Sequence, residues 1–255
     1  MTATATRMFV RELLRRWPSL LFMLLTPAAY FVVIYLASDP AVTVRAEVFS
    51  GSGYEALVVN DRTYKSLYLA VLGISVTSAF AAMTTITNRG AVIRRLRLVG
   101  YPAGRLLLAR LAVLLLIMVA STALFTVVLA SLVSVRHLGL VALALLQVAV
   151  IGVALGTALG LVLNREFEAS MIIIAVCGIQ MALGRSGSSA EDYLLFWPPV
   201  EAMKTAAFTG SADVWRHLAQ GAGYALALFG LSFALWNRRM RVWSRGPAVA
   251  PGLDA

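Results

Sequence analysis

Cysteine and histidine are scarce in this chain of 255 residues, which holds one cysteine and two histidines. A single cysteine, Cys177, excludes an intramolecular disulfide and a cysteine-based metal site. His137 and His217 each lie at the end of an apolar stretch, where an interfacial role is favoured over a metal or proton role. Neither H-E-x-x-H nor G-x-S-x-G occurs. We therefore expect no catalytic residues, no metal ligands and no enzyme activity in this chain.

Charge is also scarce, because only 13% of the residues are charged whereas 60% are hydrophobic. Soluble domains carry about 25% charged residues, so the composition predicts an integral membrane protein. The net charge of +10 would suggest a nucleic-acid partner in a soluble protein. Here the basic residues flank apolar stretches, and membrane topology explains them better than nucleic acid does. No cleaved signal peptide is expected, since no short apolar stretch precedes a small-residue cleavage site near residue 1.

About 20 apolar residues are needed to cross a bilayer, and six stretches of the sequence are about that long. The sequence therefore predicts an all-α integral membrane protein with one transmembrane domain over 1–255. The fourth stretch carries Gly152, Gly156 and Gly160 at a spacing of four, which favours close helix packing. The predicted spans are 19–37, 64–87, 104–133, 138–163, 168–184 and 217–236.

The distribution of Lys and Arg predicts the orientation. With both termini in the cytoplasm, 15 of the 22 Lys and Arg residues lie on the cytoplasmic side and 7 lie outside. Basic loops stay in the cytoplasm, so we expect a multi-pass protein of the cell inner (cytoplasmic) membrane.

Two amphipathic segments are expected at the cytoplasmic surface. Residues 5–17 place apolar side chains on one face and arginines on the other, as in a helix lying in the interface with its arginines towards lipid. Residues 89–100 connect two spans and carry four arginines, with Val92, Leu96 and Val99 at helical spacing. This pattern predicts a short basic helix that faces the cytosol.

Two segments are expected on the other side of the membrane. Residues 38–63 are polar and contain glycine, so we expect a small extracellular loop. Residues 190–212 include an aromatic stretch ending in Trp197-Pro198-Pro199, after which a short helix over 200–208 is predicted. Because this segment is apolar but short, it is interpreted as a partial re-entry into the outer leaflet.

The chain contains no evident means of energising transport. It has no G-x-x-x-x-G-K-[ST] motif for ATP, and no Asp or Glu falls near the centre of a predicted span. Such intramembrane acids usually mark ion-coupled transporters. Arg110 lies near the inner end of its span, from which it is expected to snorkel to the interface. Energy for any transport is expected to come from another chain.

The order of these segments resembles the permease subunits of ABC-2 type (type V) ABC transporters, which include drug and antibiotic exporters. The resemblance covers nearly the whole chain. It identifies 5–17 as an elbow helix, 89–100 as the coupling helix that contacts an ATPase, and 190–212 as a re-entrant segment. It implies two permease halves, identical or paralogous, and two ATPase subunits. The chain itself would hold no cofactor, because ATP and Mg would be bound by the ATPase.

The resemblance implies three groups of functional residues. Docking to the ATPase would involve Arg89, Val92, Arg94, Arg95, Leu96 and Arg97, with a second contact at Arg165 and Glu166; the same arginines are also suited to anionic lipid headgroups. A substrate path would include Thr77, Phe80, Met83, Thr84, Met171, Gln180 and Met181, for which interhelical hydrogen bonding and packing are the alternatives. An extracellular gate would include Trp197, Pro198 and Pro199, for which interface anchoring is the alternative.

We therefore expect a permease subunit that exports a hydrophobic or amphipathic substrate, such as a drug, an antibiotic or a lipid-like molecule. Two other classes stay open. An ion-coupled secondary transporter would require a buried acid within a span. A non-transporting membrane scaffold would contact membrane lipids but would lack an ATPase partner.

Overall fold

Long apolar helices form most of the structure, a computed structural model that describes residues 17–39, 41–50, 53–87, 102–163, 165–183, 194–209 and 213–244. Each predicted span corresponds to a helix whose ends lie within a few residues of the predicted ones, except that the last helix is longer at both ends. In chain order the helices are α1 (Trp17–Ala37), α2 (Asp61–Thr87), α3 (Ala103–Leu132), α4 (Leu138–Val162), α5 (Glu166–Leu183), α6 (Trp197–Phe208) and α7 (Val214–Ser244).

Four helices in the described part of the chain, α2, α3, α4 and α7, are long and apolar enough to cross a membrane. The protein is therefore a mostly helical, membrane-embedded protein, as the composition predicts. The predicted elbow helix 5–17 lies outside the described residues apart from Trp17, where α1 begins. The predicted coupling helix 89–100 lies wholly outside them.

Within the segment 38–63, predicted as a small extracellular loop, two strands pair as a β-hairpin that was not predicted from the sequence, while the rest of the described chain is mostly helical, as predicted. Strand β1 (Thr43–Ser50) pairs antiparallel with β2 (Gly53–Asn60), and Ser50 is opposite Gly53. The cause is visible in β1, where Val44, Ala46 and Val48 alternate with polar residues. That period of two favours a strand with one buried face.

Helices α2 and α4 pack closely along their length, as the glycine spacing predicts. A Cβ atom on Gly152 would lie 2.9 Å from the carbonyl oxygen of Ser75, and one on Gly156 would overlap the backbone of Ala79. One turn further along, a Cβ on Gly160 would meet the Met83 backbone at 3.2–3.3 Å. Because a side chain at these positions would separate the helices, glycine is what permits the contact. The two helices run parallel, since residue numbers increase together along the contact.

Pro27 lies inside α1, and the neighbouring helix α3 compensates for it. Proline has no N–H, so the carbonyl group four residues earlier, on Met23, loses its helical partner. The hydroxyl of Ser121 on α3 donates to the carbonyl oxygens of Met23 and Leu24, each at 3.4 Å. A side chain from a second helix thus replaces the missing backbone donor, the arrangement that permits proline within apolar helices.

Candidate functional site

The helices present two ends with different chemistry. One end, named the hairpin end, carries the β1–β2 hairpin, helix α6 and the starts of α2, α4 and α7. The other carries the ends of α2 and α4 and the start of α5, and it is named the basic end because the arginine-bearing residues 88–101 follow α2 in the sequence. The candidate functional residues divide between these two ends.

Helix α6 forms the core of the hairpin end and begins at the three predicted gate residues. Trp197, Pro198 and Pro199 occupy its first turn, where proline is tolerated because the first N–H groups have no helical acceptor. Every residue from Trp197 to Ala207 is buried. The Trp197 ring meets the His217 ring of α7 edge to face, with centroids 5.3 Å apart. The predicted short helix is therefore present, and its aromatic start is held within the protein.

The N-terminal end of α6 is held by α5. The backbone N–H of Phe196 donates to Oε1 of Gln180 at 2.8 Å. Gln180 is one of the residues predicted to line a substrate path. In this conformation its amide oxygen accepts an N–H that has no partner within α6, so it positions the helix that carries the predicted gate.

The C-terminal end of α6 is held by the turn between α3 and α4. The backbone N–H groups of Arg136 and His137 donate to the carbonyl oxygens of Ala207 and Ala206, each at 3.2 Å. The Arg136 guanidinium also donates to the carbonyl oxygen of Thr209 at 3.0 Å. The last carbonyl groups of a helix have no helical donors, so the turn supplies donors to two carbonyl groups at this end.

Two ionised side chains are buried in α6. Lys204 forms an ion pair with Glu201, one turn earlier, and the two side chains are 7% and 1% exposed. Nζ of Lys204 also donates to the backbone carbonyl of Glu47 on β1 at 3.4 Å. Sequence reasoning missed this pair. The available signal was an acid and a base three residues apart in a segment that is otherwise apolar.

The predicted path residues occupy two helices, α2 and α5, that pack against each other. Thr77, Phe80 and Thr84 are half-buried and share one side of α2, whereas Met83 is buried against Gly160. The Thr84 hydroxyl donates to the Phe80 carbonyl of its own helix at 2.9 Å. The interhelical hydrogen bond considered for this threonine is therefore replaced by a bond within α2.

The path residues on α5 lie far apart along the helix. Met171, near the basic end, is 49% exposed, whereas Gln180 is near the hairpin end. Met181 belongs to α5, but its side chain lies outside the described atoms. The structure thus brings Gln180 close to the gate residues and leaves Met171 apart from them.

A small cavity lies where α2, α5 and α6 meet. Its volume is about 10 Å³, which is room for about one water molecule. It joins a predicted path residue, Gln180, to a predicted gate residue, Trp197. The remaining wall consists of Tyr68, Val71, Ser75, Cys177, Leu194, Phe196 and Val200. In this conformation the space between Gln180 and Trp197 has room for about one water molecule.

At the basic end, two of the predicted docking residues are described and both are exposed. Oε1 of Glu166 accepts a hydrogen bond from the Thr87 hydroxyl at 2.9 Å, and Arg165 pairs with Glu168 at 3.2 Å. Thr87 is the last residue of α2, directly before the arginine-bearing residues. The α4–α5 turn is therefore tied to the point where that segment begins. The other predicted docking residues, Arg89, Val92, Arg94, Arg95, Leu96 and Arg97, lie outside the described residues.

Arg110 was expected to extend its side chain to the membrane interface, and the structure places that side chain elsewhere. Its side chain is buried, with 1% of the residue exposed, and its guanidinium donates to the carbonyl oxygen of Thr85 at 3.2 Å. Thr85 lies in the last turn of α2, whose carbonyl groups lack helical donors. A cation at a helix C-terminus is also favoured by the helix dipole. Arg110 thus stabilises the end of α2 from the neighbouring helix α3.

No protein-family model and no curated protein matches this sequence. Within the described ranges, no group of three or more His, Cys, Asp or Glu side chains is placed to hold a metal ion. The described features that bear on function are the two ends of the helices and the packing that connects them.

Proposed function

We propose that this protein is the permease subunit of an ATP-driven exporter of the ABC-2 type. The protein lies in the inner membrane of the cell. It crosses that membrane six times, and both of its termini are in the cytoplasm. Two permease halves and two ATPase subunits form the transporter, which moves a hydrophobic or amphipathic substrate outwards. The segment 89–100 contacts the ATPase, and α6 forms the outer gate.

The observation that carries this proposal is the packing of α2 on α4. Contacts at backbone distance leave no space for one helix to slide past the other, because Gly152 and Gly156 would already overlap α2 if they carried a Cβ. Force applied at residues 88–101 therefore acts on a rigid pair of helices. At the hairpin end, the turn before α4 hydrogen-bonds the end of α6. Residues 88–101 are thus connected to the proposed gate through α2, α4 and the turn before α4.

The placement of buried acids supports an external source of energy. Among the described residues, the buried acids are Asp61, at the first residue of α2, and Glu201, in the short helix α6. Each is paired with a lysine, Lys65 or Lys204. An ion-coupled carrier needs an acid that exchanges its ion within the membrane, and neither acid lies in the middle of a long described helix.

Reconstitution with the ATPase tests the proposal. The chain is co-expressed with a candidate ATPase encoded beside it, and Arg94, Arg95 and Arg97 are changed together to Glu. We expect co-purification and ATP-dependent efflux of an amphipathic dye from proteoliposomes to be lost. The new glutamates would repel the acidic groups of the ATPase that the arginines are proposed to contact. The matched control changes Arg45 and Arg216, two exposed arginines at the hairpin end, and both activities are expected to persist.

The outcomes separate the three candidate functions. Unchanged co-purification and transport in the triple variant would refute docking through the basic segment. Transport that requires an ion gradient and ignores ATP would favour a secondary transporter. Association with membrane partners without any transport would favour a scaffold.

A further inference from the structure

The hairpin covers α6 with one face of β1. Ala46 and Val48 are 1% and 0% exposed, while the alternate residues Arg45 and Glu47 are exposed. β1 contacts α6 directly. An isolated two-stranded hairpin is at best marginally stable in water. The position of this hairpin therefore depends on what it packs against, and α6 is part of that surface.

Lys204 connects the two elements. Its charge is balanced within α6 by Glu201, so the helix does not need the hairpin for that purpose. Its second contact is different in kind, because Nζ donates to the backbone carbonyl of Glu47, 157 residues earlier in the chain. The Glu47 side chain is exposed and is not the acceptor. The contact thus fastens the strand itself to α6.

The other polar contacts at the ends of α6 come from the helical body. Gln180 belongs to α5, and Arg136 and His137 belong to the turn before α4. Both partners are continuous with long helices. The hairpin is instead attached through the end of α1 and the start of α2, and at its base the Asp61 N–H donates to the Val42 carbonyl at 3.0 Å. The Lys204 contact is made to the hairpin, the most separable of these partners.

We propose that Lys204 is a positioning residue that fastens the hairpin over α6 and so holds α6 in the closed position. The role in gating rests on the proposed function, in which α6 is the outer gate. The fastening itself is a property of the isolated chain. It is therefore measured without ATP, substrate or the ATPase.

The experiment measures how often the hairpin lifts from α6. A Val48→Cys reporter on the buried face of β1 is introduced into a Cys177→Ala background, and the purified full-length chain is labelled in nanodiscs with a membrane-impermeant maleimide. We expect Lys204→Met to accelerate labelling about tenfold, the change expected when a charge-assisted hydrogen bond is lost. Arg216→Met, which removes an exposed cation at the hairpin end, is the control and is expected to label at the native rate.

A second variant separates fastening from charge balance. Lys204→Met alone leaves Glu201 buried without its lysine, which destabilises α6 in itself. The double variant Glu201→Gln, Lys204→Met removes both charges, yet it still lacks the donor to the Glu47 carbonyl. We expect the double variant to label about tenfold faster than the native chain as well. Labelling of the double variant at the native rate would overturn the proposal, since charge balance would then be the sole role of Lys204.

A reference cysteine distinguishes local lifting from general loosening. Val153, in the middle of α4, is fully buried, and a Val153→Cys reporter is expected to stay unlabelled in every variant. Acceleration at both reporters would overturn the proposal. Accelerated labelling at Val48→Cys together with absent ATP-dependent transport in the native protein would refute the proposed function while leaving the fastening intact.

Discussion

Replacing Gly156 by alanine should destabilise the protein more than alanine at any other glycine of α4. The added Cβ would overlap the carbonyl oxygen of Ala79 and lie 2.7 Å from its carbonyl carbon and 2.8 Å from its Cα. These are backbone atoms of α2 and cannot rotate away, so the helices must separate. Inserting a methyl group into a packed core typically costs about 1–3 kcal/mol, which for a chain of this size lowers Tm by roughly 2–12 °C.

The matched control is Gly139→Ala, in the first turn of the same helix. A Cβ on Gly139 meets nothing within 4 Å, and alanine is a better helix former than glycine. Its Tm is therefore expected to equal or exceed that of the native protein. Gly160→Ala, with contacts of 3.2–3.3 Å, should fall between the two. Tm is measured in detergent from the heat-dependent loss of the monodisperse peak in size-exclusion chromatography.

The order of the three Tm values tests whether α2 and α4 meet at backbone distance. Gly156→Ala with a Tm at or above that of Gly139→Ala would refute the claim that α2 and α4 meet at backbone distance. A second-site change sharpens the test, because the obstructing atoms belong to the Ala79 backbone. Ala79→Gly should therefore fail to restore the Tm of Gly156→Ala, whereas a clash with a side chain would be relieved.

Two further predictions concern hydrogen bonds between elements. Ser121→Ala should lower the free energy of unfolding by about 1 kcal/mol. The loss should be smaller in a Pro27→Ala background, because the Met23 carbonyl then regains a backbone donor. Equal losses in both backgrounds would contradict the contact of Ser121 with that carbonyl. Gln180→Leu should cost about 1–3 kcal/mol, because the buried N–H of Phe196 loses its acceptor, and Gln220→Leu, which removes a bond within one helix, should cost less. The Tm of each variant in detergent measures both effects. A Gln220→Leu variant with a Tm as low as that of Gln180→Leu would contradict the role of Gln180 in holding α6.

Apolar stretches predict this fold well because the membrane constrains them strongly. A span needs a minimum apolar length, so the helix ends near residues 37, 87, 132 and 162 follow from where that composition stops. The spacing of Gly152, Gly156 and Gly160 predicts close packing because small residues on one face leave a groove for another helix. The partner helix, α2, does not follow from the spacing, since any helix fits such a groove.

The hairpin and the contacts of α6 were harder to predict for different reasons. The alternation in β1 is present in the sequence, but it is short and lies in a segment whose polarity also suits a loop. The contacts of Lys204 with Glu47 and of Gln180 with Phe196 join residues that are 157 and 16 positions apart in the sequence. Such pairings depend on the packed structure, and a single sequence carries no local signal for them. The role of the arginines in 89–100 stays a prediction.

The polar contacts that hold α6 also bear on the order in which the chain matures. Glu47, Arg136, His137 and Gln180 all precede α6 in the sequence, and a chain is synthesised from its N-terminus. When residues 197–208 leave the ribosome, all four of these contact residues have already been synthesised. Helix α6 can therefore form these contacts as soon as it is made, whereas the contact of Trp197 with His217 has to wait for α7.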